Sequence, residues 1–79
     1  MTADDQAEIT DLQRQLHAYM NNLIASGLSP AIVTTAMLGA ASERVLLASS
    51  PTMTAAWLRG HALAIEKFGP AMIAAHEAG

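Results

Sequence analysis

The sequence has no cysteine, a single residue each of Trp, Tyr and Phe, and few charges. Without cysteine there is no disulfide, no thiol nucleophile and no thiolate metal site, a composition that fits a reducing compartment. Charged residues make up 14% of the chain, where about a quarter is usual for a soluble domain. Between Arg14 and Glu43 there is no Asp, Glu, Lys or Arg at all. The four basic residues, Arg14, Arg44, Arg59 and Lys67, are scattered, and the net charge is −3. Neutralising phosphates takes several clustered cations, so no nucleic-acid partner is expected.

Targeting and catalytic signatures are missing too. The opening MTADDQAE is acidic and polar, unlike the basic-then-apolar start of a secretory signal, and no run of 18 apolar residues is free of charge. The expectation is a soluble, cytoplasmic protein with no membrane partner. There is no P-loop, no G-x-G-x-x-G and no G-x-S-x-G, and the serines fall at helix starts or among small packing residues. Neither catalytic residues nor a cofactor are expected. No internal repeat or low-complexity segment interrupts the chain.

What is present is apolar and helical in pattern: 52% of the 79 residues are hydrophobic. The chain is organised around residues 28–48, LSPAIVTTAMLGAASERVLLA. Ser29 suits an N-cap, and Pro30 the first helical position, where a missing N–H costs nothing. Leu28 and Val33 then stand at the two hydrophobic-staple positions. At about 100° per residue, Ile32, Ala36, Gly39 and Leu47 cover one side of this helix and Val33, Met37, Ala40 and Ala41 the next. Thr34, Thr35, Ser42, Glu43 and Arg44 interrupt the apolar surface without forming a polar face. A helix apolar on most sides must be covered on most sides.

The flanking segments read as its cover. Residues 3–26 form an amphipathic helix with Asp4, Asp5 and Glu8 at its start, where negative charge suits the helix dipole. Its Ile9, Leu12, Leu16, Tyr19 and Leu23 alternate steps of three and four, a heptad seam. Gly27 ends it, with Leu28 placed to touch Leu23 in a Schellman stop. Ser50 and Pro51 repeat the Ser-Pro start and open a third helix over 51–68, with Met53, Trp57, Ala64 and Phe68 as its expected buried face. Gly69 and Pro70 should end that helix, leaving residues 70–78 as a short, kinked fourth one. The expected fold is thus one all-α domain over 1–79, a small antiparallel three-helix bundle with helices at about 3–26, 30–48, 51–68 and 70–78. A chain near the lower size limit for a single core gains most simply by burying surface between copies, so homodimerisation should complete the bundle.

Few residues invite a chemical role. His17, His61 and His76 lack a ligand-type partner three or four positions away, so no metal site is expected unless histidines meet across helices or chains. Glu43 and Arg44 are the sole charges between residues 15 and 58. They read either as a buried carboxylate with an anion clamp, or more plainly as a pair facing water or meeting Arg59 and Glu66. A helix-turn-helix should present Arg, Lys, Gln or Asn early in its recognition helix, but the third helix opens Pro51, Thr52, Met53, Thr54, Ala55, Ala56.

Two functions remain. The first is a non-catalytic protein-interaction or regulatory module that self-associates, dimerisation being favoured, and meets a further protein partner. Its interface would comprise Val33, Met37, Ala40, Arg44 and Leu47 of the second helix. From the third it would take Trp57 with the small residues Gly60 and Ala64, whose spacing lets backbones approach closely. The alternative is a carrier or sensor for a small hydrophobic ligand, with a cavity lined by Ala and by Met20, Met37, Met53 and Met72, and with His61 or Tyr19 orienting a polar head.

Overall fold

The computed structural model, which describes residues 1–78, is all-α: α1 spans Ala3–Ala25, α2 Pro30–Ala48 and α3 Pro51–Ala78. The chain divides into two compact units, Met1–Gly39 and Ala40–Gly79, the division falling within α2.

In the first unit α1 begins with a capping box. The Thr2 hydroxyl accepts the Asp5 N–H at 3.1 Å and the Asp5 carboxylate accepts the Thr2 N–H at 3.2 Å. Two of the N–H groups that a helix start leaves without intrahelical partners are satisfied in this way. The other end stops on Gly27, whose φ of 112° lies where side-chain-bearing residues are strained. The Gly27 N–H reaches the Ile24 carbonyl at 3.0 Å and the Leu28 N–H the Leu23 carbonyl at 3.2 Å, the two bonds that define a Schellman stop. The Ser26 hydroxyl adds a third bond, to the Leu23 carbonyl at 2.7 Å. At the start of α2 the engaged group of Ser29 is its carbonyl, which accepts the Val33 N–H at 3.1 Å; the hydroxyl cap expected there does not form. Val33 is 3% exposed. In the same unit Met20, Leu23, Ile24 and Met37, on either side of the connection, are half-buried.

The second unit closes its turn with hydroxyls. Ser49 Oγ donates to the Val45 carbonyl at 2.7 Å and covers a carbonyl of the last turn of α2. Ser50 caps α3 as expected, its Oγ accepting the Met53 N–H at 3.1 Å. The Ser50 carbonyl takes both the N–H and the hydroxyl of Thr54, at 2.9 and 2.7 Å. Thr54, 7% exposed, is the buried residue of this unit, with Val45, Trp57 and Leu58 half-buried.

Two expectations are corrected in α3. Residues 51–68 and 70–78 form one helix of 28 residues rather than two, with Pro70 inside it. Proline removes a single N–H, the partner of the Glu66 carbonyl. The surrounding Ala, Met, Leu and Lys are strong helix formers and hold the rest of the ladder. The buried face also differs: Met53 is 62% and Phe68 54% exposed, while the polar Thr54 is covered. The covered face at the start of α3, Thr54, Trp57 and Leu58, shares Trp57 with the expected one and is centred about 60° from it.

Candidate interaction surface

Outside the two turns little is buried. Large apolar side chains stand exposed on all three helices. Leu12, Leu16 and Tyr19 of the α1 seam are exposed, as are Ile32, Leu38 and Leu47 of α2. On α3 the bare residues include Ile65, Phe68 and Met72.

The α3 residues share a pattern that the sequence reading missed. Thr54, Leu58, His61, Ile65, Phe68, Met72 and Ala75 follow steps of four and three throughout, a heptad seam over six intervals. Thr54 and His61 hide it, because neither scores as apolar. The seam starts covered, at Thr54 and Leu58, and runs on bare from His61. Its flanks are small: Ala62 and Gly69 on one side, Ala64 and Ala71 on the other. Pro70 projects opposite the seam. There its ring crowds the Glu66 carbonyl on the outer side of the helix, leaving the seam unobstructed.

Charge is divided unevenly. α1 holds Asp4, Asp5, Glu8 and Asp11 against Arg14, and so carries the whole net charge of −3. α3 is balanced, with Arg59 and Lys67 against Glu66 and Glu77. Arg14 pairs with Asp11 at 3.0 Å on an open surface, where such a pair contributes little. Glu43 and Arg44 are exposed and form no ion pair among the described residues.

The residues expected at an interface fall into three groups. Val33 is covered by its own chain and has nothing to offer a partner; its apolar side chain is consumed by the first turn. Met37 and Trp57 are half-buried, and the Trp57 ring meets His61 edge-to-face with centroids 4.7 Å apart. Ala40, Arg44, Leu47, Gly60 and Ala64 are exposed, Leu47 at 84%. A Cβ added at Gly60 would meet nothing within 4 Å.

No grouping of three or more metal-ligating side chains occurs among the described residues. A shallow depression on one exposed face of α1 is lined by Glu8, Asp11, Leu12 and Gln15. By length and composition α2 could cross a membrane. No protein-family model, curated protein or solved structure matches the chain.

Proposed function

We propose that the protein is a non-catalytic, self-associating helical module whose assembled surface binds a further protein. The observation that carries this reading is the set of large apolar side chains left exposed on all three helices, among them Leu16, Ile32, Leu47, Phe68 and Met72. In this reading the antiparallel bundle is completed by helices of a second copy, and the protein works where that assembly forms, in the cytoplasm.

Two other destinations for the surface account for less of it. Insertion of α2 in a bilayer would cover that helix but leave the seams of α1 and α3 bare, and it would bring Glu43 and Arg44 into or against the membrane. A carried apolar ligand needs an enclosing cavity, and the depression on α1 is open to solvent. Sedimentation of the purified chain at micromolar concentration decides. A stable dimer of native helicity is expected. An 8 kDa monomer with the same helicity overturns the proposal, as does flotation with anionic phospholipid vesicles. An apolar molecule that co-purifies stoichiometrically and is released on denaturation selects the carrier instead.

A further inference from the structure

We infer that the surface through which copies pair is the bare half of the α3 seam, His61 to Ala75, packed antiparallel against the same segment of a second copy about a two-fold axis at Phe68. The inference rests on the self-association proposed above and adds which segment pairs and in which direction.

Four observations carry it. The first is continuity: the seam covered at Thr54 and Leu58 keeps its register through Ala75 with nothing over it. The second is fit. With the axis at Phe68, His61 stands opposite Ala75 of the copy and Ile65 lies near its Met72. Leu58 then faces the exposed Ala78 of the copy. A parallel pairing in register would instead bring the covered starts of both helices together.

The third is charge. Pairing two α1 seams would bring together two helices that each carry the entire −3 of a chain, whereas α3 is neutral and its charges lie off the seam. Like charges facing each other across a coiled-coil pair oppose it. The fourth is shape at the flanks, where Ala62, Ala64, Gly69 and Ala71 let the two backbones approach. A two-fold axis makes one patch complementary to itself, the commonest closure of a homodimer.

The absence of cysteine makes the test clean. His61→Cys and Ala75→Cys are made separately in the full-length chain, mixed in denaturant under reduction, refolded together and oxidised mildly. The mixture is expected to form a disulfide-linked heterodimer, and each variant refolded alone is expected to stay uncrosslinked. In the antiparallel arrangement two copies of the same cysteine lie about 21 Å apart along the helices, at about 1.5 Å per residue, beyond the reach of a disulfide. Crosslinking of each variant with itself indicates parallel pairing and overturns the inference. A dimer in sedimentation with no crosslink in any combination places the interface elsewhere, which overturns the inference and leaves self-association standing. A monomer in sedimentation removes both.

Discussion

Two Ser-Pro starts, Ser29-Pro30 and Ser50-Pro51, stand at equivalent places in the two units, and each puts its unit's buried residue four positions after the serine. In both, the serine carbonyl accepts that residue's N–H, at 3.1 Å for Val33 and 2.9 Å for Thr54. The chemistry around the shared frame differs. The first turn rests chiefly on glycine and apolar side chains, with one hydroxyl bond from Ser26: Gly27 takes the positive φ, and Leu28 and Val33 occupy the staple positions. The second uses hydroxyls, those of Ser49, Ser50 and Thr54, each bonded to a backbone group. Burial at this position is therefore set by its place in the connection, where the preceding helix is nearest, and not by hydrophobicity. A threonine serves as well as a valine once its hydroxyl has a partner.

The prolines give the sharpest contrast. Pro30 and Pro51 sit at the first helical position, where no intrahelical bond is lost, while Pro70 lies inside α3. Pro70→Ala is expected to stabilise the protein by up to about 3 kcal/mol. Pro30→Ala and Pro51→Ala should each shift stability by less than about 1 kcal/mol. Urea unfolding followed by far-UV circular dichroism, at one fixed protein concentration because association contributes to stability, reads the difference. An unchanged midpoint for Pro70→Ala would show that the end of α3 does not share the cooperative transition.

Glycine supplies the next effect in size, and its sign depends on position. Gly27→Ala has open space around the new methyl, so any loss reports the backbone alone. At a φ of 112° a loss of about 1–2 kcal/mol is expected. Gly39→Ala and Gly60→Ala, in helix interiors with nothing within 4 Å of the new Cβ, should each gain about 0.8–1 kcal/mol. A loss of association in Gly60→Ala would mean that the copies meet on the small-residue face rather than on the seam. No non-glycine residue has a positive φ among the described residues, so the Ser49-Ser50 turn contains no counterpart of Gly27.

These local devices were the legible part of the sequence. Gly27 with Leu28, and Ser50 with Pro51, announce their roles within a few residues, because a cap or a Schellman stop is closed by neighbours in the chain. The Thr2–Asp5 capping box was equally local, and the signal was there in Thr-x-x-Asp, one methylene short of the usual Thr-x-x-Glu. What escaped depends on partners distant in sequence or on competing energies. Met53 and Phe68 look like core by side-chain type, but the face of α3 that is covered is fixed by the turn that precedes it. Pro70 looks like a boundary, yet it removes one bond from a ladder that the remaining residues maintain. Reading the α3 seam required counting Thr54 and His61 as members, which a hydrophobicity pattern does not do.

A reciprocal exchange tests the equivalence of the two starts with the smallest expected effect. In Thr54→Val the hydroxyl that donates to the Ser50 carbonyl at 2.7 Å is lost, but that carbonyl keeps the Thr54 backbone N–H at 2.9 Å. No buried acceptor is orphaned, and a polar group leaves a covered site, so stability should change by less than about 1 kcal/mol. In Val33→Thr a hydroxyl enters the corresponding site. An unpartnered one would cost about 1–3 kcal/mol, but the Ser29 carbonyl stands four residues back, as the Ser50 carbonyl does for Thr54. If the two starts are interchangeable, the new hydroxyl bonds there and the loss stays near 1 kcal/mol or below. A loss beyond about 2 kcal/mol for Val33→Thr, with Thr54→Val neutral, would break the equivalence. It would mean that the first turn, whose buried residue carries no hydroxyl, depends on dry contact between Val33 and its neighbours.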